Sequence, residues 1–267
     1  MCRAAGRGGR RVLAATLLGA FLGGFPGHVP PFEAQARAES SPEAARILAR
    51  VDRARSAWPE AVFRLRVTVS RPGEEGRPGL FLATVKGSDR LRIDFLDPGE
   101  EGKAFVAVGN DAWLLMPRAK NPIKVPRGHR LSGGFSAAEL LRTRFDEEYE
   151  AVVEREEVVD GRPCDVLRLT ARPGRNPAWP VARLWVDRKE GLPRRAVFLV
   201  ASGKTARDVT FDAWKEWSGL PGPSRLTIVD TLRSGRTVVD YLSAERKAVP
   251  DSLFDVRSTA PASPAAP

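Results

Sequence analysis

Two histidines and two cysteines are all that the 267-residue chain offers for thiol, imidazole or metal chemistry. Their spacing suits none of these. His28 and Cys2 lie near the N-terminus, while His129 and Cys164 are isolated from each other. A protein metal site needs three or four ligands at characteristic spacings, and a lone histidine with a distant cysteine does not make one. Cys164 follows Pro163 in a strand-like stretch and reads as a buried free thiol rather than a nucleophile. No Gly-x-Ser-x-Gly elbow and no phosphate-cradling glycine loop occurs. Asp94 and Asp187 fall on the polar phase of strand-like segments, and solvated strand faces are expected for both. Glycoside chemistry would need two convergent carboxyl groups, and nothing in the spacing brings these together. The sequence argues against catalysis, and no cofactor or metal is expected.

What remains for function is apolar surface and basic charge. Apolar residues in the inward phase of the strands are the candidates for ligand contact: Phe63, Leu65, Val67, Leu91, Ile93, Phe95, Trp113, Leu115, Trp185 and Phe198. Solid packing of the same residues into a core is the competing reading. Arg118, Lys120, Lys124 and Arg127 sit in a stretch rich in Gly, Pro and Lys/Arg between Pro117 and Gly134. They are the candidates for partner contact.

The elements that must position these residues follow from hydrophobic period. Residues 39–59 read as a helix, with Ser40 or Ser41 as cap and Pro42 and Glu43 in the first turn. Ala45, Ile47, Leu48, Val51, Ala54 and Ala57 form its apolar stripe. The period then drops to two. Phe63, Leu65, Val67 and Val69 alternate with Arg64, Arg66 and Thr68, the pattern of a half-buried strand. Strand-like segments recur about every ten residues, separated by Gly, Pro and Asp turns. A short strand is expected near Ile123–Val125. A capping-box pattern at Ser136–Glu139 opens a short helix from Ala137 to about Arg142.

Eleven or twelve strands, an N-terminal helix and a short central helix make a mainly β (α+β) protein. A single antiparallel sheet of that size must curl. The helices then lid its concave face, which leaves an incomplete β-barrel with an apolar cavity. Full closure of the barrel fits the strand pattern equally well.

The ends carry other information. Arg3, Arg7, Arg10 and Arg11 precede an uncharged apolar run, Val12–Phe25, and a small-x-small site, Ala36-Arg37-Ala38. This is the layout of a secretory signal peptide, with cleavage expected after Ala38. The run is too short to span a bilayer. Arg10-Arg11 leaves Sec and twin-arginine export both open. No Leu-x-Gly-Cys follows, so a lipidated N-terminus is not expected. The formal net charge of +10 falls to +6 once residues 1–38 are removed. The basic residues are spread along the chain, which does not favour nucleic acid. A surface facing anionic headgroups and a merely solvated basic surface are both consistent with it. Residues 39–257 are expected to form one domain, and 258–267 a disordered tail. With Cys2 removed, no internal disulfide is available.

Three motifs lie close together: Asn110-Asp-Ala-Trp-Leu-Leu-Met-Pro117, Lys124-Val-Pro-Arg127 and Ser132-Gly-Gly-Phe-Ser-Ala-Ala-Glu-Leu-Leu141. Leu184-Trp-Val-Asp187 with Gly191-Leu-Pro193, Phe211-x-x-Trp214 with Leu220-Pro221, and Pro250-Asp-Ser-Leu-Phe-Asp-Val256 follow in order. Together they resemble LolA-like outer-membrane lipoprotein-sorting proteins, and a poorly characterised branch of that family. The resemblance implies a half-barrel lidded by helices and a periplasmic carrier of lipoprotein or lipid acyl chains. It also implies an inner-membrane exporter as a partner. A monomer is expected. The same fold could instead serve a periplasmic sensor or adaptor that uses the basic stretch 117–134 to bind an inner-membrane protein.

Overall fold

The computed structural model describes residues 40–55, 58–126, 129–131, 135–136 and 144–257. The chain divides into two units, Met1–Ala36 and Arg37–Pro267, and every described element belongs to the second. The expected signal peptide, the capping-box helix from Ala137 and the C-terminal tail lie outside the described residues.

Helix α1 (Pro42–Arg55) starts where Ser41 Oγ accepts the Ala44 N–H at 3.1 Å. Pro42 fills the first helical position, where no N–H is needed. Glu43 in the first turn and Arg53 and Arg55 in the last complement the helix dipole. Ala44, Leu48, Val51 and Asp52 form one buried stripe at helical spacing. Ahead of the helix, Ser40 and Ser41 also tie the chain to a strand. Ser40 Oγ accepts the Ala151 N–H at 2.8 Å, and the Ser41 N–H donates to Ala151 O at 3.1 Å.

The strands form two antiparallel meanders. The first is β1 (Glu60–Ser70), β2 (Pro78–Lys86), β3 (Arg90–Phe95), β4 (Ala104–Val108), β5 (Asp111–Leu115) and β6 (Ile123–Val125). A small pair follows, β7 (Arg130–Leu131) and β8 (Phe135–Ser136), then the one-turn helix α2 (Phe145–Glu148). The second meander is β9 (Tyr149–Val159), β10 (Arg162–Ala171), β11 (Val181–Asp187), β12 (Pro193–Leu199), β13 (Thr205–Trp217), β14 (Leu220–Asp230) and β15 (Gly235–Arg246). Pairing of β1 with β15 joins both into one sheet of thirteen strands, β6-β5-β4-β3-β2-β1-β15-β14-β13-β12-β11-β10-β9. The sheet does not close. β6 and β9 are its edges, which decides against the closed barrel.

The two meanders differ in regularity. Pairings from β1 through β6 run in unbroken register. Bulges or register shifts interrupt β1–β15, β9–β10, β11–β12, β12–β13 and β13–β14. A bulge adds a residue to one strand and bends it, so the second meander is where the sheet turns. Its β9–β10 hairpin closes in two residues, Asp160 and Gly161, both at positive φ.

One apolar cluster runs along the inner face, the face that meets α1. It includes Leu48 and Val51 of α1, Leu65, Phe81, Ile93 and Phe105 of the first meander, and Leu167, Leu184, Phe211 and Ile228 of the second. A separate cluster lies on the outer face of β4 and β5. There Ala104, Val106 and Leu115 are covered by Val249 and Phe254, and a 3₁₀ turn spans Asp251–Phe254. Charged groups pin this C-terminal strap. Lys86 Nζ donates to Val249 O at 2.7 Å, and Arg92 Nη1 to Leu253 O at 3.1 Å. The Val249 N–H donates to Glu60 Oε2 at 2.6 Å, and Lys86 pairs with Asp251 at 2.7 Å.

Candidate binding site on the inner face

Seven of the ten sequence-predicted contact residues meet on the inner face. Leu65, Val67, Leu91, Ile93 and Phe95 are buried within its cluster, and Phe63 and Phe198 pack against it half-buried. Cross-strand partners share a face, and the register brings Phe63 opposite Ala83 and Leu65 opposite Phe81 and Tyr241.

The other three are corrected by the structure. Trp113 stands opposite Val106 and Lys124, and Leu115 opposite Ala104. Both therefore share the outer face with the C-terminal strap, and Ala112 and Leu114 take the inward phase. Trp185 lies outside as well. It packs with Cys164, Val166 and Val197, between the guanidinium groups of Arg195 at 5.0 Å and Arg155 at 5.9 Å from its ring centre. The cause is common to β5 and β11. Both faces of these strands are covered, so polar residues no longer mark the wet side.

The sequence reading missed an aromatic row on the same face. Trp58 stacks on Phe63 at 6.1 Å, and Phe63 meets Tyr241 edge-on at 5.9 Å. Phe145 of α2 stacks on Phe198 at 6.3 Å, and Phe211 on Trp214 at 5.9 Å. The Phe211-x-x-Trp214 spacing is odd for a strand. A double register shift within β13 brings both rings to one side. Trp217 also packs against the cluster, half-buried, and its Nε1 donates to Pro223 O at 3.2 Å.

Polar groups interrupt this face at two places. Beneath the end of α1, Asp52 is 2 % exposed and accepts the Asp146 N–H at 2.8 Å, which ties α1 to α2. Burial raises its carboxyl pKa to about 7 against the pull of Arg55, 3.6 Å away. The Arg55 guanidinium rests on the Phe145 ring at 4.7 Å. Burial also pushes the Tyr241 hydroxyl up to about 12. At the second place, Arg207 of β13 pairs with Asp230 of β14 and lies over the Trp179 ring at 5.7 Å.

The residues weighed for chemistry sit elsewhere. Asp94 and Asp187 are buried rather than solvated. Asp94 is held by Arg92 at 2.7 Å, and Asp187 by Arg194 at 3.0 Å and Arg162 at 3.2 Å. Cys164 is a buried free cysteine whose thiol pKa is raised by burial, with Asp187 adding to the effect. His129 is half-buried, and its backbone N–H donates to Pro126 O at 2.8 Å. Among the described residues no group of three or more His, Cys, Asp or Glu side chains is placed to hold a metal ion. Of the basic candidates, Arg118, Lys120 and Lys124 are exposed, and Lys124 pairs with Asp111 at 2.8 Å. Arg127 lies outside the described residues. No helix among the described residues is long and apolar enough to cross a membrane.

A family model described as "-like: Uncharacterized protein" matches residues 87–259, more than half of the chain. The chain belongs to that family. Solved structures share its fold. A LolA superfamily protein from Nitrosomonas europaea superposes with a TM-score of 0.70 at 24% identity, over 79% of this chain and 96% of that one. A DUF1329 family protein from Desulfovibrio piger gives a TM-score of 0.73 at 16% identity, over 82% and 98%. A protein from Vibrio parahaemolyticus described as an outer membrane lipoprotein-sorting protein domain gives 0.69 at 15% identity, over 80% and 96%. These likenesses establish the half-barrel fold. No curated protein matches the chain.

Proposed function

We propose that this chain is an exported, non-enzymatic carrier. It holds the acyl chains of lipoproteins or lipids against the inner face of its half-barrel and takes part in outer-membrane lipoprotein sorting. In this reading residues 1–38 direct export and are removed after Ala38. The periplasmic domain, 39–257, then works as a monomer and receives cargo from an inner-membrane exporter.

The observation that carries the reading is the continuity of the inner apolar cluster from β4 to β9 in a sheet that stays open at both edges. Half-buried Phe63, Val69, Val153, Phe198 and Trp214 line its margins, where a ligand chain can reach them. Each methylene taken from water is worth about 0.8 kcal/mol. A partly buried acyl chain therefore reaches roughly micromolar affinity before the entropic costs of binding. No polar recognition is needed, which accounts for a binding protein without a catalytic constellation.

The purified protein should yield lipid to solvent extraction and mass spectrometry, and should bind a fluorescent acyl probe in a one-to-one complex. Val153→Asp places a charge at the margin and should weaken the probe about tenfold or more. A folded protein that carries no lipid and ignores the probe would falsify the reading.

A further inference from the structure

An apolar row crosses the first meander from its core to its open edge. Ala83, Ile93, Phe105, Leu114 and Ile123 stand opposite one another on successive strands β2 to β6. Exposure rises along the row, from 0% at Ala83 and 1% at Ile93 and Phe105, through half-buried Leu114, to 48% at Ile123. Met116, just past the end of β5, is 37% exposed. Cores normally end in polar residues at a sheet edge, so a graded apolar track that opens to solvent calls for an apolar neighbour.

The charge beside the track narrows what that neighbour is. The loop from Met116 to Ile123 carries Arg118 and Lys120, both exposed and neither ion-paired among the described residues. The nearby acids are largely engaged. Asp111 pairs with Lys124 at 2.8 Å and Glu100 with Lys103 at 2.5 Å. Glu101 lies on the adjoining turn, whose Gly102 approaches Pro117. Two apolar side chains flanked by two exposed cations match a surface of anionic headgroups over hydrocarbon.

We propose that the β5–β6 hairpin docks on an anionic lipid bilayer. Ile123 and Met116 enter the headgroup boundary while Arg118 and Lys120 meet phosphate. That acyl chains cross to the inner face along this row rests on the carrier reading above. The docking does not.

The test is flotation of the purified protein with vesicles of phosphatidylcholine, alone or mixed with phosphatidylglycerol, at low and high salt. The wild type should float with the anionic vesicles, bind the neutral ones weakly, and dissociate as salt rises. Arg118→Glu/Lys120→Glu should cut anionic binding by at least about tenfold. Ile123→Ser should cut it several-fold while leaving the salt dependence. All of these positions are exposed, and circular dichroism matching the wild type confirms the fold. Equal binding to both vesicle types, variants that bind like the wild type, or binding confined to membranes that retain their proteins would each overturn the proposal. Acyl-probe binding in vesicle-free solution is measured alongside. Lost flotation with intact probe binding removes the docking alone, whereas absent probe binding removes the carrier reading and leaves flotation to judge the docking.

Discussion

The two meanders solve the same problem in different ways. The second, β9 to β15, is broken by register shifts and curves against α1, which packs on β9 and β14. The first, β1 to β6, is regular and carries its strap on the outside, where Val249 and Phe254 cover Val106 and Leu115. Curvature gives the second meander a helix-covered core. Regularity leaves the first with an inner row that runs out to a bare edge at Ile123. The lesson is a division of labour within one sheet: one arm supplies stability, and the other supplies apolar surface that can be reached.

The sharpest way to break this comparison is to place the same charge in each arm. Leu167→Asp, in the second meander at 0% exposure, should cost upwards of about 4 kcal/mol and leave little folded protein. Ile123→Asp, at the free edge, should change stability by less than about 0.5 kcal/mol. Urea denaturation measures both, and similar costs would erase the distinction. Next in size is the strap. Arg92→Ala leaves Asp94 buried without its partner and should cost about 3–5 kcal/mol. Hydrogen exchange should then rise in β3, β4 and 249–254 before it rises in β9 to β12.

A smaller effect comes from Asp52, whose carboxyl burial pushes up from the ordinary aspartate value of 3.8 to about 7. The folded state holds the proton more tightly, so this group favours folding at acid pH. That contribution is lost as pH rises through 7. The loss should be on the order of 2 kcal/mol between pH 5 and 8.5. Asp52→Asn, which keeps the shape and removes the charge, should flatten that part of the Tm–pH profile. An unchanged profile would show that Asp52 does not titrate in this window. Similar in size is the effect at Gly191, at φ +70 with the Arg50 side chain where a Cβ would stand. Gly191→Ala should cost about 1–3 kcal/mol through backbone strain and loosen the α1 end of the second meander. Arg50→Ala should recover only the part due to contact.

How far the sequence reaches follows the same division. Where one strand face is wet, as in β1, alternation of Phe63, Leu65 and Val67 with Arg64 and Arg66 places every side chain correctly. Where both faces are covered, the period vanishes. β5 reads Asp-Ala-Trp-Leu-Leu, and its phase is set by Val249 and Phe254, far along the chain. Trp185 misleads for a related reason. On the outer face Arg155 and Arg195 lie over its ring, and no local pattern records that. Burial of Asp94 was equally invisible, because the strap that encloses the Arg92–Asp94 pair folds back from residue 253. Bulges escape period-based reading altogether, yet they turn Phe211 and Trp214 to one side.

The six tryptophans divide between the faces, and this allows a direct test of acyl-chain binding. Trp214 packs against the inner cluster and Trp185 against the outer one. Single-tryptophan variants that retain one or the other are titrated with a brominated fatty acid, which quenches fluorescence only at contact. Saturable quenching of Trp214 with Trp185 unaffected is the predicted result. Quenching of Trp185 alone, or of neither residue in a folded protein, would contradict an acyl-binding inner face.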